Sequence, residues 1–314
     1  MLVTHGSLEP ARDAHAVTVG NFDGVHLGHR AMLERVSAAA HARGVRSCAL
    51  TFEPHPREFF TPDTAPARLT PLREKLELIA ALGLDRAHVL HFDAALAAEP
   101  AEHFIEEILV HGLGARWLLV GRDFRFGSKR AGDLKLLEVD ASRHGYSVET
   151  MPDVQLGSER VSSSAVRAAL ERGDFARAGE LLGRSYEISG RVAHGAKLGR
   201  KLGFPTANIP LAQRPPLAGI YVVEACRTDL GGPWEWLPGV ASVGRRPTVN
   251  QVETPLLEVF LLDFGEEIYD RHLKVRFLQK LRDERKFADL EALRLAIAED
   301  ARQAREYFLR ARTG

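Results

Sequence analysis

Cysteine is nearly absent: the 314 residues hold two, Cys48 and Cys226, and neither sits in a C-x-x-C. A disulfide framework and a cysteine-based structural zinc site are thereby excluded. A reducing compartment fits, so the expected setting is the cytoplasm. Net charge is missing too, because Lys+Arg and Asp+Glu number 42 each. Such a chain has no bulk positive field for coating nucleic acid and no acidic tail, although a local basic pocket stays open. No apolar run reaches membrane-spanning length, and the opening MLVTHGSLEPARDAH has no apolar core of a signal peptide. The expected partners are therefore small molecules, with neither nucleic acid nor membrane among them; a homo-oligomer is left open. Lysine is scarce as well, 8 against 34 arginines, so a lysine inside a motif says more than an arginine does.

What is present is an ordinary globular composition, 45% hydrophobic and 27% charged, over a length that suggests two domains. The first half alternates short apolar runs with amphipathic helical stretches. Strands are expected at Ala16–Val19, Arg46–Phe52, Ala87–Phe92, Trp117–Val120 and Ser147–Met151. Helices are expected at Arg30–Arg43, Pro71–Leu82, Ala101–Val110, Asp133–Gly145, Ser163–Arg172 and Phe175–Leu182. That alternation predicts a doubly wound, Rossmann-like α/β domain with a parallel sheet covered on both faces. The pattern changes near Gly183–Ser185. Short strands follow at Glu187–Val192, Gly219–Ala225, Val240–Val243, Leu256–Leu262 and Leu273–Phe277, and a helix at Leu290–Phe308 closes the chain. This reads as a small all-β barrel or sandwich with a C-terminal helix. The expected division is 1–183 and 184–314.

The loop after the first strand reads Gly20-Asn21-Phe22-Asp23-Gly24-Val25-His26-Leu27-Gly28-His29. In an open parallel sheet, ligands sit at the carboxyl ends of strands, which is where this loop lies. It is neither G-x-G-x-x-G nor a P-loop, so hydride transfer to a dinucleotide and P-loop phosphoryl transfer lose ground. His26 and His29 share a face at a helix start, and Gly28 between them permits close backbone approach. Two imidazoles beside a helix N-terminus suit a triphosphate that gains charge during displacement. Metal ligation, or two surface histidines, is the plainer reading. A second segment, Val161-Ser162-Ser163-Ser164-Ala165-Val166-Arg167, opens a helix with three hydroxyls and then a cation, again a phosphate-binding pattern. Taken alone, a plain serine cap with a solvent-facing arginine is the favoured reading of it.

In the second half, the run His194 to Asn208 holds three glycines, then Lys197, Arg200 and Lys201, then Pro205-Thr206-Ala207-Asn208. Thr206 and Asn208 are two apart on an extended segment, so they point the same way. Both are hard oxygen donors suited to Mg²⁺ on nucleotide phosphates. Glu258 is a lone carboxylate in the apolar run Leu256–Leu262. By alternation it shares a face with Phe260 and Leu262, while Leu257, Val259 and Leu261 take the other. Such a carboxylate is costly to bury unless paired, and the setting suits a general base or an ion pair with an arginine.

The H-x-G-H loop and the Ser162–Arg167 segment together resemble the nucleotidyltransferase superfamily, with Ser164 where threonine is usual. GNFDGVHLGH, TFEPHP, GRDFRFG and VSSSAVRAAL resemble the adenylyltransferase module of the bacterial bifunctional riboflavin kinase/FAD synthetase family. GRVAHGAKLGRKLGFPTAN, LAGIYVV, VGRRPT, LEVFLLDF and LRDERKF resemble its flavokinase barrel. The resemblance implies riboflavin, FMN, FAD and ATP as substrates and products, with Mg²⁺ arriving on ATP. It implies that His26, His29 and Asn21 stabilise phosphate charge, with Gly28 in that loop, and that Ser162, Ser163, Ser164 and Arg167 hold the β- and γ-phosphates. Asp123, Phe124 and Phe126 would lie near flavin, and Glu53, Pro54, His55 and Pro56 would form another wall. In the barrel, Gly195, Lys197 and Gly199 would belong to a loop over the phosphates. Thr206 and Asn208 would hold Mg-ATP, Glu258 would be the base, and Arg282 through Phe287 would help close on flavin. Two departures stand out: Arg122 replaces an acidic residue, and Phe260 replaces a polar one beside the base. A chain that retains the kinase alone, a transferase for another phosphate acceptor, and a binding module without turnover are the competing readings.

Overall fold

The structure is a computed structural model that describes residues 1–194, 199, 202–228, 235–247 and 253–313, with side chains for all of these but 245–247, 253, 254, 312 and 313. Gly195 and Lys197, expected over the kinase phosphates, lie outside the described residues. The chain divides into two compact units, Met1–Pro66 with Thr70–Ser163, and Ala67–Leu69 with Ser164–Gly314.

In the first unit, strands β1 (Leu2–His5), β2 (His15–Val19), β3 (Arg46–Glu53), β4 (Arg86–His91), β5 (Ala115–Gly121) and β6 (Ser147–Met151) form one sheet. Its order is β1-β4-β3-β2-β5-β6, and every neighbouring pair is parallel. Between the strands run α1 (Leu27–Arg43), α2 (Pro56–Phe60), α3 (Leu72–Ala80), α4 (Ala94–Ala98), α5 (Ala101–His103) and α6 (Leu134–His144). Alternation along each strand sorts side chains onto two faces. Ala16, Ala49, Trp117 and Leu119 pack with Val36, Leu33 and Ile79 of α1 and α3. Val17, Val19, Cys48, Leu50, Leu118 and Val120 pack with Phe104, Ile105, Leu109 and Leu137 on the opposite side. Two buried faces are why these strands read as continuous apolar runs, and they establish the doubly wound architecture.

Two local features differ from expectation. The helix expected at Ala101–Val110 is one α-turn that continues as a π-helix, Phe104–Gly112. The Leu113 amide donates to the Ile108 carbonyl, and Gly112 admits Leu8, whose side chain would lie 2.7 Å from an added Cβ. The N-terminus, where no strand is expected, supplies edge strand β1 beside β4. His88 fastens it: Nε2 donates to the Gly6 carbonyl at 3.0 Å, so Nδ1 accepts from the Thr4 hydroxyl at 2.7 Å.

A short hairpin, β7 (Gln155–Leu156) and β8 (Glu159–Arg160), precedes α7 (Ser163–Glu171) and α8 (Phe175–Leu182). The second unit then builds β9 (Glu187–Arg191), β10 (Ala207–Pro210), β11 (Gly219–Arg227), β12 (Leu237–Pro247), β13 (Glu253–Leu261) and β14 (His272–Arg282), followed by α9 (Leu290–Thr313). The sheet order β10-β13-β12-β11-β14-β9 is antiparallel throughout, and a bridge between Ala193 and Asn208 nearly closes it into a barrel. Helix α9 seats Ala301 and Ala304 against Ile220, Val222, Val240 and Leu262. Phe175 of α8 stands edge-on to Tyr221 and stacks on Phe277, which ties α8 to the barrel's compact unit rather than to the sheet domain. Strand β10 was not expected. Its four residues end in proline, and only its pairing with β13 makes it a strand.

Candidate active sites

The first unit's site grows from the carboxyl end of β2. Helix α1 starts three residues before the expected position, so His26 is its N-cap, and its Nδ1 accepts from the His29 amide at 3.3 Å. The two imidazoles stack with centroids 3.6 Å apart, and His29 meets the edge of Phe22. His26 is buried and His29 half-buried at the positive end of the helix dipole. Gly28 leaves room for the His26 ring: an added Cβ would stand 3.1 Å from it, so the ring would have to shift by a few tenths of an ångström. The loop before the helix is pinned from below. Asp23 accepts from the Thr70 amide at 3.0 Å, the Gly24 amide donates to the Thr70 hydroxyl, and the Ser163 hydroxyl donates to the Asp23 carbonyl at 2.9 Å. That last bond brings the start of the serine segment onto the histidine loop. Ser162 is half-buried beside it. Asn21 keeps a buried Oδ1 that has no hydrogen-bond partner among the described residues. Ser164 is exposed on α7, and Arg167 Nε donates to the Ala67 carbonyl at 2.6 Å, both within the second unit.

The segments expected near flavin are distinct in character. Glu53 and Pro54 are half-buried at the end of β3, and His55 caps α2 in a capping box with Glu58. Asp123 is exposed and paired with Arg160 at 2.8 Å; Arg122 is exposed. Phe124 is half-buried and stacks on Phe126, which is itself part of the hydrophobic core against Phe104. An aromatic group that the sequence reading passed over lies nearby in the chain: Phe59 and Phe60 of α2 contact Phe92, which meets Phe52, and Phe60 is 61% exposed.

The barrel's site spans three strands. The register sets Asn208 beside Glu258 and Glu258 beside Ser242. Glu258 lies on the face of Phe260, as alternation predicted, with Leu257, Val259 and Leu261 buried on the other. Phe260 meets the edge of Phe204 and joins the apolar cluster under α9, so the departure beside the carboxylate supplies wall rather than polarity. Two cavities flank Thr206 and Asn208. A cleft of about 600 Å³ holds Glu258, Phe204, Phe260, Arg282 and Phe287. A smaller one of about 110 Å³ holds Glu266, Glu267 and Tyr269. Asn208 is buried, its amide nitrogen donates to the Thr206 carbonyl at 3.2 Å, and its Oδ1 has no hydrogen-bond partner among the described residues. Gly199 is at the edge of the cleft, and the amide of Phe204 donates to its carbonyl at 2.8 Å.

Arg282 is committed to a partner that sequence reasoning missed. Its Nε and Nη2 donate to the two oxygens of Asp300 on α9 at 2.8 and 2.6 Å, and Asp300 is buried. Phe287 packs against Arg282 and Arg285. Neither cysteine offers a nucleophile, since burial pushes the Cys48 thiol up to about 12 and the Cys226 thiol to about 11.

Comparison with known proteins agrees with this geometry. The FAD synthetase family model matches residues 8–165 and the riboflavin kinase model matches 182–308. A bifunctional riboflavin kinase/FMN adenylyltransferase from Pseudomonas fluorescens is 48% identical over 95% of this chain and 94% of its own length. One from Escherichia coli (strain K12) is 44% identical over 97% and 96%. A solved structure described as a macrolide-efflux protein from Streptococcus pneumoniae superposes with TM-score 0.77 at 26% identity, covering 97% of this chain and 99% of that one. Among the described residues, no helix is long and apolar enough to cross a membrane.

Proposed function

The chain belongs to the bifunctional riboflavin kinase/FMN adenylyltransferase family, and from that membership we propose which residues carry each reaction. The protein phosphorylates riboflavin with ATP to FMN, then joins FMN to the AMP part of a second ATP, giving FAD and pyrophosphate. Residues 184–314 are assigned the kinase and residues 1–183 the adenylyl transfer. The cytoplasm is the proposed setting, in keeping with two buried free cysteines.

In the kinase, Glu258 takes the proton from the terminal ribityl hydroxyl as that oxygen attacks the γ-phosphorus and ADP leaves. The observation that carries this is the position of Glu258, in the larger, aromatic-walled cleft and one strand from Thr206 and Asn208. Phe260 and Phe287 both line the larger cleft and suit a flat isoalloxazine, and the phosphates of the nucleotide would reach the Thr206–Asn208 pair, which lies on both cavities. The buried Oδ1 of Asn208, which has no hydrogen-bond partner among the described residues, and the neighbouring Thr206 hydroxyl suit Mg²⁺ carried by ATP. A cation held there would neutralise phosphate charge.

In the adenylyltransferase, an FMN phosphate oxygen attacks the α-phosphorus of ATP and pyrophosphate departs. His26, His29 and Asn21 face the charge that develops, and Ser162 and Ser163 extend the same N-terminal cradle. Ser164 and Arg167 keep the role in triphosphate binding that the resemblance gives them. The exposed Phe60 and the half-buried Phe124 offer ring faces for flavin. Glu258→Ala tests the assignment: FMN formation should stop while supplied FMN is still converted to FAD. Parallel loss of both activities in a folded protein would refute it.

A further inference from the structure

Lys75 is among the largest fully buried side chains of the chain and has no part in the chemistry above. It lies on α3, 1% exposed, beneath the loop that carries Asn21. Its ammonium donates to the Asn21 carbonyl at 3.1 Å and to the Thr51 hydroxyl at 3.0 Å, and Thr51 donates onward to the same carbonyl at 3.3 Å. The three groups close a triangle that joins α3, β3 and the loop. The next turn of that loop needs support, because Phe22 and Val25 both adopt positive φ, 48° and 39°. Burying an ammonium is costly, and a chain that uses lysine sparingly has placed one here.

We infer that Lys75 is a positioning residue for adenylyl transfer: it fixes the Asn21 backbone so that the buried side-chain Oδ1 and amide of Asn21 stay aimed at the nucleotide. The inference rests on the assignment of Asn21 to the adenylyltransferase site. Three links run from Lys75 to the reacting phosphorus: ammonium to carbonyl, carbonyl to the Asn21 side chain, and side chain to phosphate.

The test uses the intact bifunctional chain, whose kinase serves as an internal control. Lys75→Met should lower kcat for FMN-to-FAD conversion by about tenfold or more, with a smaller change in KM for FMN, and leave riboflavin phosphorylation as in the parent. Equal losses in both reactions, or a lowered melting temperature with adenylyl kcat intact, would overturn the inference and leave a purely structural lysine. If Lys75→Met does not fold, Thr51→Val removes two sides of the triangle at nearly constant volume and leaves only the bond from Lys75 to the Asn21 carbonyl. It should lower adenylyl kcat in the same direction, and an unchanged kcat would count against the proposal. Combining the two substitutions should give less than the sum of their separate effects, since they break one device. Asn21→Ala is run alongside. If it leaves FAD synthesis intact, the site assignment itself fails; if it abolishes synthesis while Lys75→Met does not, only the role of Lys75 fails.

Discussion

Acid should loosen the sheet domain through His88, and the size of the effect follows from its surroundings. The ring is 1% exposed between β1 and β4, and burial, with Arg86 nearby, pulls its pKa from 6.5 down to about 4. The folded protein thus holds it neutral, while the unfolded chain takes up a proton near 6.5. Between those values the unfolded state binds more protons, so the contribution is intact above pH 6.5 and is lost as pH falls toward 4. At about pH 4.5 the loss amounts to about 2.5 kcal/mol. The buried His15 shifts in the same direction and Asp85 is held low by Ser47, so each adds acid sensitivity of its own. A difference measurement isolates His88. Urea unfolding of the parent and of His88→Leu would be followed at about pH 7.5 and about pH 4.5. Trp234 and Trp236 would be replaced by Phe, so that Trp117 in the same sheet is the reporter. The parent should lose about 2.5 kcal/mol more than the variant across that interval. Equal losses would show that His88 is not the group that titrates and would refute the reasoning.

Two further outcomes concern the sites. Gly28→Ala presses a methyl group against the His26 ring, so FAD synthesis should fall by about tenfold or more while FMN formation continues; unchanged FAD synthesis would show that the stacked histidine geometry is dispensable. Asp300→Asn leaves Arg282 without its bidentate partner and should destabilise the barrel by about 3 kcal/mol and raise KM for riboflavin, as checked by urea unfolding and steady-state kinase assays; wild-type values in both would refute a supporting role for that pair.

Much of this protein is legible in its residues because the signals are local. Apolar runs buried on two faces declare a parallel sheet, and the loop from Gly20 to His29 reads as lying at its carboxyl edge, where α1 begins. Period-two alternation around Glu258 correctly assigns its face. The remainder depends on contacts distant in sequence. Strand β10 is four residues long, and its meaning comes from lying beside Glu258, fifty positions later in the chain. Lys75 is one cation on a short helix until folding places it under Asn21. Asp300 reads as a surface charge on α9 until Arg282 reaches it. Helices α7 and α8 follow the sheet domain in sequence, yet the aromatic stack of Phe175 on Phe277 groups them with the barrel. Composition offered one usable hint, the rarity of lysine, which makes a lysine in the middle of Leu72–Ala80 worth asking about.

The central claim is that one chain carries two pockets, each steering a different oxygen nucleophile onto a different phosphorus of ATP. Its most direct measurement supplies riboflavin and Mg-ATP to Glu258→Ala alone, to His29→Ala alone, and to an equal mixture, and follows FMN and FAD by chromatography. The account predicts neither flavin nucleotide from the first, FMN without FAD from the second, and FAD from the mixture, because each variant provides the reaction the other lacks. FAD from either variant alone at the parent rate, or no FAD from the mixture, would contradict it.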